Sequence, residues 1–423
     1  MRYVVAEVRA ERAADAARVE PDPRPLNLAL VIDASGSMAG RKLEHARRAA
    51  LGVIEALGKR DRVSVVSFAD DVITHVDGLM MTGPNKRRAA QAVARLDTRG
   101  CTNLGDGWLT GAECLARALD GERRRISRII LLSDGMANVG ITSPEALAEH
   151  AAELRLRGIT TSTVGIGDDY EAPVLQALAE HGGGQMHDAE RAEEIVEVLL
   201  GELRDSLDLA LENVTVTLFV PARVQAVPLG FYPTTTAGGE MRVVLGSLGS
   251  GRSRQAIFRL MLPPGEEGEE ILLSLQAHAK AAGATAAIEA PVQELAVRLV
   301  RGSENNAQPR DVERSLAVAR LWHASIVRTV ARMNRAGDRR EARHYLEREL
   351  RFFQRYGKGL AGSDALVREL VLMLRRIGQE WDERTRKEME LFSFKYAYSA
   401  PDHRAAPRES WAARLRRPEP DAD

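Results

Sequence analysis

The first half of the chain alternates between short unbroken apolar runs and longer stretches whose apolar residues recur every three or four positions. Leu28-Ala-Leu-Val-Ile-Asp33 is one such run, and Arg128-Ile-Ile-Leu-Leu-Ser-Asp134-Gly135 is another; both stop abruptly on a carboxylate. Runs of this kind read as strands covered on both faces, as in a parallel sheet. Between them Leu43, Ala46, Ala50, Val53, Ile54 and Leu57 share one helical face, with Arg41, Glu44, Arg47 and Arg48 off it. Residues 62–68 supply a second strand, 77–84 read as a loop and 85–96 as a short helix. The polar turn Gly100-Cys-Thr-Asn-Leu-Gly105 feeds a helix carrying Leu109, Ala112, Leu115 and Leu119. Pro144 opens another helix, at a first-turn position that proline tolerates. A strand at 159–167, helices at 172–180 and 192–207 and a short strand near Gln185 complete the unit. Strand–helix alternation over roughly 180 residues predicts an open, mostly parallel, doubly wound α/β sheet.

The pattern changes near residue 209. Val214, Val216 and Leu218 alternate with Thr215, Thr217 and Phe219, and similar segments recur at 241–245, 254–262, 271–278 and 292–300 among proline and glycine turns. Short alternating strands with regular turn signals predict an antiparallel β-sandwich over 208–302. Residues 2–9 alternate in the same way, and Pro21, Pro23 and Pro25 form a stiff connection onward. Segment 1–25 is therefore expected to lend its strand to the sandwich, with the α/β unit of 26–207 inserted between its strands. Helical spacing returns over 303–400, in stripes through Leu316, Trp322, Ile326, Val330 and Met333, then Tyr345, Leu346, Leu350 and Phe353, then Leu366, Leu370, Met373 and Ile377. Such stripes are core-facing. Residues 401–423 carry few large apolar side chains and are expected to be disordered.

Composition narrows the function classes. A chain of 423 residues with 44% hydrophobic and 28% charged residues exceeds one core and suits two or three globular domains. A net charge of −1 gives no field for nucleic acid or an anionic membrane, and the basic run Arg414-Leu-Arg-Arg417 is too short to change that. No apolar stretch reaches the roughly 20 residues of a membrane span. The start lacks the apolar core of a signal peptide, and two cysteines, Cys101 and Cys114, make no disulfide framework or thiolate zinc site. A cytoplasmic protein is the expectation.

The candidate chemistry lies at the ends of the apolar runs. Asp33-Ala-Ser35-Gly-Ser37 gathers one carboxylate and two hydroxyls on a tight loop. These are hard oxygen donors of the kind that suit a small divalent cation. In a parallel sheet such loops collect at the carboxyl edge, where Thr102 and Asp134 would join them. Dispersed in this order, Asp-x-Ser-x-Ser, a threonine and then an aspartate before glycine resemble the von Willebrand factor type A family and its metal-ion-dependent adhesion site. Arg62-Val-Ser-Val-Val-Ser-Phe68 and Thr163-Val-Gly-Ile-Gly167 resemble further strands of that family, over residues 26–205.

The resemblance implies Ser35, Ser37 and Thr102 as hydroxyl ligands, with Asp33 and Asp134 supplying charge directly or through water. Mg²⁺ is the implied cofactor, and Mn²⁺ accepts the same donors. Neutral hydroxyls beside two carboxylates leave the ion under-neutralised, so an open position favours an Asp or Glu carboxylate from a partner protein. Intracellular members of the family often serve as adaptors to ATPases or to larger multiprotein assemblies, and the resemblance implies such a partner. The competing readings are a scaffold whose metal only stabilises the fold and a metal-dependent hydrolase. Phosphatases of the haloacid dehalogenase type need a second aspartate where Ser35 stands, and a serine is no acid/base at neutral pH. No phosphate-binding Gly-x-x-x-x-Gly-Lys-Ser/Thr loop occurs. No enzyme activity is expected. Asp106 reads as a helix cap, Asp168-Asp169 as a capped loop, and His45, His75, His150, His181 and His187 as surface or satisfied core residues.

Overall fold

The computed structural model describes residues 2–11, 24–119, 125–135, 137–167, 170–189, 192–282, 284, 286–398 and 410–416. Pro21, Pro23, Asp168, Asp169 and most of the 401–423 tail lie outside them. Strand β1 (Arg2–Arg9) comes first. The α/β unit follows as β2 (Leu26–Asp33), α1 (Arg41–Ala56), β3 (Arg62–Phe68), β4 (Val72–Met80), α2 (Gly83–Ala94) and α3 (Leu104–Leu119). It continues through β5 (Ile126–Ser133), α4 (Pro144–Leu156), β6 (Ile159–Ile166), α5 (Ala172–Gly182), β7 (Gly183–Ala189) and α6 (Ala192–Leu207). Its sheet has the order β4-β3-β2-β5-β6-β7 and is parallel except for β4.

Every residue of β2 is buried, because both faces of the sheet are covered. Leu28, Leu30 and Ile32 join Leu43, Val53, Ile195 and Leu199 of α1 and α6 on one side. Ala29 and Val31 join Trp108 and Leu115 of α3 on the other. That second helix lies close: a methyl at Gly111 would sit 2.5 Å from Val31 Cγ2, and one at Gly107 2.6 Å from Phe68 Cβ. Two glycines one turn apart set the spacing between α3 and the strands that end at the candidate site.

Residues 77–80, expected as loop, are the end of antiparallel edge strand β4. The register between β3 and β4 slips on either side of Val65, and Gly78 has φ +55°. Such a bulge breaks the alternation by which a strand is recognised.

The antiparallel part contains β8 (Leu209–Phe219), β9 (Gln225–Leu229), β10 (Thr234–Ala237), β11 (Glu240–Gly249), β12 (Ser253–Met261), β13 (Glu270–Ala281), β14 (Ala287–Glu289) and β15 (Gln293–Arg298). One sheet runs β10-β11-β8-β13-β14 with β15 also on β13, and the second runs β1-β12-β9. Strand β1 pairs along its whole length with β12, from Arg2 opposite Leu260 to Arg9 opposite Ser253. The α/β unit therefore stands in the chain between strands of the antiparallel part.

The helices are α7 (Gly302–Ala307), α8 (Val312–Arg335), α9 (Arg339–Gly357), α10 (Ser363–Arg376), α11 (Glu383–Tyr398) and α12 (Trp411–Arg414). Arg328 of α8 ties the three parts together. Its guanidinium makes a bidentate pair with Glu180 of α5 at 2.5 and 3.0 Å and lies 4.0 Å from the centre of the Phe231 ring. Part of the tail expected to be disordered, Ser410–Arg416, is structured. Trp411 is buried there, its ring 6.2 Å from that of Phe392 and 6.1 Å from that of His323. A single large apolar side chain with a seat is enough to order a short turn.

Candidate metal centre

The carboxyl edge of the sheet brings three loops together. Phe68 O accepts from Ala34 N at 2.8 Å, Gly100 O from Gly36 N at 3.0 Å, Ala34 O from Arg99 N at 2.6 Å and Ala69 O from Asn103 N at 2.8 Å. The third loop joins through Asn138, whose Oδ1 accepts from Thr102 N at 2.8 Å while its own N–H donates to Thr102 O at 3.1 Å. Main-chain bonds position the loops, helped by Asn138, by Asp70, which accepts from Cys101 N, and by Arg99, which pairs with Asp71 at 2.7 Å.

Asp33 ends β2 fully buried, with Oδ1 accepting from Ser35 N at 2.8 Å and Oδ2 from Ser133 Oγ at 2.6 Å. Ser35 Oγ and Ser37 Oγ lie 3.0 Å apart, and Ser37 Oγ donates to Asp134 Oδ1 at 2.8 Å. Asp134 is fully buried too, and its Oδ2 accepts from Lys42 Nζ of α1 at 2.5 Å. The point where a Cβ on Gly135 would stand is 3.3 Å from Thr102 Oγ1, 3.4 Å from Ser37 Oγ and 3.6 Å from Asp33 Oδ2. All five residues named in the sequence therefore meet in one pocket of oxygen atoms. Ser35 and Thr102 are buried and Ser37 is exposed, so the cluster opens to solvent on the Ser37 side.

This donor set fits a small hard cation. Neighbouring oxygens of an octahedron around Mg²⁺, with ligands at about 2.1 Å, stand about 3.0 Å apart, which matches the spacings along Ser35, Ser37 and Asp134. Charge points the same way. Burial raises the pKa of Asp33, and Asp134 beside it raises it further, against the opposing hydrogen bonds from Ser133 and Ser35. A cation between the two carboxylates would relieve both costs. Among the described residues, no three His, Cys, Asp or Glu side chains gather as a metal cluster; the hydroxyls distinguish this centre from one built of carboxylates.

Ser133 and Lys42 were not singled out in the sequence. Ser133 adjoins Asp134 at a strand end, a signal that was available. Lys42 lies at the start of α1, and only the fold carries its ammonium back to Asp134, its stem passing 3.3 Å from the Cβ position of Gly167. Asp106, expected as a helix cap, occupies the first turn instead. Asn103 precedes α3, its Oδ1 accepting from Asp106 N at 3.4 Å while Asp106 Oδ2 accepts from its Nδ2 at 2.7 Å. Neither contact makes Asp106 a ligand. His187 and His75 are satisfied by Glu202 at 2.6 Å and Ser67 at 2.7 Å.

Residues 27–199 match the family model described as the von Willebrand factor type A domain. Inter-alpha-trypsin inhibitor heavy chain H3 of Pongo abelii is 37% identical over 164 residues, which are 37% of this chain and 19% of that protein. The chain thus spans about a fifth of the length of that relative. An uncharacterized protein of Synechocystis sp. is 28% identical over 351 residues, covering 79% of this chain and 81% of its own. Among solved structures, a von Willebrand factor type A protein from Catenulispora acidiphila aligns with a TM-score of 0.67 at 18% identity, over 93% of this chain and 96% of its own. The likeness in fold therefore extends beyond the α/β unit to the antiparallel sheets and the helices.

Proposed function

Starting from the von Willebrand factor type A domain that the chain carries over residues 27–199, we propose that it is a metal-dependent protein-interaction module and not an enzyme. Domains of this family generally mediate metal-dependent protein interactions. In this reading Asp33, Ser35, Ser37, Thr102 and Asp134 hold Mg²⁺, with Mn²⁺ as the other acceptable ion. The observation that carries it is the convergence of Thr102 Oγ1, Ser37 Oγ and Asp33 Oδ2 within 3.6 Å of one point. When bound, the ion supplies a Lewis-acidic position for a carboxylate. The chain's own residues do the rest. Ser133 and the Ser35 N–H orient Asp33, Asn138 orients the Thr102 loop, and the exposed Ser37 side leaves room for an Asp or Glu of a partner protein.

The partner is proposed to be an ATPase or another component of a multiprotein assembly, for which the chain acts as adaptor. Cys101 and Cys114 are unbonded thiols, which supports a reducing, cytoplasmic setting. Among the described residues no helix is long and apolar enough to cross a membrane. Among the described residues neither Ser35 nor Ser37 is hydrogen-bonded to a histidine; their hydroxyls bond each other and Asp134. That arrangement supports ligation rather than nucleophilic catalysis.

Affinity capture from lysate with the intact chain, with EDTA and with Asp33→Ala or Thr102→Ala tests the reading. A partner lost under all three conditions supports it. Undiminished capture by the variants, together with a lowered melting temperature, would establish a scaffold whose metal is structural.

A further inference from the structure

A cleft of about 1340 Å³ opens between β1, the connection from α7 to α8, and the C-terminal end of α9. None of the five metal-centre residues lines it. Its floor is aromatic. The rings of Tyr3 and Tyr356 stand 5.2 Å apart, Trp322 lies 5.9 Å from Tyr356, and Phe352 on the wall is 44% exposed.

The rim is cationic. Arg2, Arg310, Arg355 and Lys358 all line the cleft, and none of the four has a carboxylate partner among the described residues. Arg2 donates to the side-chain oxygens of Asn305 and Gln308, and Arg310 lies over the Tyr356 ring at 4.3 Å while donating to Ser315 Oγ. These contacts position the guanidinium groups without neutralising them. Asp311 is the one acid in the lining among the described residues, and it is already occupied by the backbone N–H of Arg314 at 2.9 Å and by the Arg314 guanidinium.

Strand β1 supplies the third feature. It stands at the edge of its sheet, with β12 on one side and no strand on the other among the described residues. Tyr3 and Val5 of this strand line the cleft. An edge of this kind presents backbone N–H and C=O groups to an added strand.

We propose that this cleft is a docking groove for an extended acidic segment of a partner protein, laid along the free edge of β1. One aromatic or aliphatic side chain of the segment rests on the ring floor, and its carboxylates meet Arg2, Arg310, Arg355 and Lys358. The uncompensated positive rim calls for an anionic occupant. The volume exceeds the roughly 300–1,000 Å³ of ordinary small-molecule pockets, which favours a length of chain over a small anion.

The test is fluorescence anisotropy with a fluorescein-labelled peptide, Asp-Glu-Val-Phe-Val-Glu-Asp-Glu, run in EDTA so that the metal centre takes no part. Saturable binding to the full chain is expected, with none by the same peptide carrying lysine at every acidic position. The Arg355→Glu/Lys358→Glu variant should bind at least about tenfold more weakly, because two cations become two anions opposite the peptide. Its melting temperature should stay unchanged, since both residues are exposed. A peptide N-methylated at alternate residues should also lose binding.

Absence of saturable binding, or equal binding by the wild type and the charge-reversed variant, would overturn the proposal. Equal binding of the N-methylated peptide would overturn the strand addition. Displacement of the peptide by inorganic phosphate at matched charge would overturn the peptide in favour of a small anion. None of these outcomes depends on the metal centre, so this proposal and the adhesion reading fail separately.

Discussion

Glu202 of α6 offers a quantitative test of how the sheet beneath the candidate metal centre is held. Its carboxylate is fully buried and touches three strands: Arg128 Nη1 of β5 at 2.5 Å, Ser162 Oγ of β6 at 2.8 Å and His187 Nε2 of β7 at 2.6 Å. Burial alone would push its pKa up. The Arg128 guanidinium, followed by the hydrogen bonds from His187 and Ser162, outweighs burial and holds it down at about 2. A carboxyl lowered from 4.5 to about 2 contributes roughly 3 kcal/mol to folding. Because the folded-state value is depressed, that contribution is complete above the ordinary 4.5 and is lost as pH falls towards 2.

Glu202→Gln keeps the shape and removes the charge, leaving the Arg128 guanidinium buried without its counter-ion. Breaking a buried pair from one side costs about 3–5 kcal/mol at neutral pH. Urea denaturation followed by circular dichroism between pH 7 and pH 3 measures both effects. The variant should be much less stable at pH 7, and its stability should fall less steeply on acidification than that of the wild type. A variant within about 1 kcal/mol of the wild type at pH 7, or one with the same acid slope, would refute the reasoning.

Two further substitutions follow from the packing. Gly111→Ala places a methyl 2.5 Å from Val31 Cγ2, so α3 must lift from β2, and urea unfolding should show a loss of about 1–3 kcal/mol. Arg384→Ala leaves Asp188 without the bidentate partner now at 2.7 and 3.2 Å in a buried setting; a loss of about 3–5 kcal/mol by the same assay is expected.

The parts of the fold visible in the sequence are those where apolar pattern and burial agree. Strands β2 and β5 read as fully apolar because helices cover both faces, and α8, α9 and α10 read from stripes such as Trp322, Ile326 and Val330. Helix α11 lies within the region expected to be helical, but no stripe marked it, for the opposite reason. Arg384, Lys387, Glu388 and Glu390 are buried in it, held by Asp188, by the Tyr170 ring at 3.7 Å from Lys387 Nζ, and by Arg335 at 2.6 Å from Glu390. A helix that buries paired charges carries little amphipathic signal. The turn at Trp411 was missed because one anchoring ring leaves no periodicity to read.

At the candidate metal centre, the convergence of Asp33, Ser35, Ser37, Thr102 and Asp134 was legible because each lies at a strand end or ahead of a helix in a fixed order. What holds them was less so. Ser133 and Asn138 act through hydrogen bonds that only the fold forms, and Lys42 reaches Asp134 across 92 residues of sequence.

The most direct measurement is isothermal titration of Mg²⁺ into the purified chain and its Thr102→Val variant, which keeps the buried shape of Thr102 and removes its hydroxyl. One saturable site in the wild type, weakened at least about tenfold in the variant by loss of one oxygen ligand, with an unchanged melting temperature in EDTA, is the expected result. No Mg²⁺ binding by the wild type, or equal affinity in the two proteins, would contradict the claim that these five residues hold the cation.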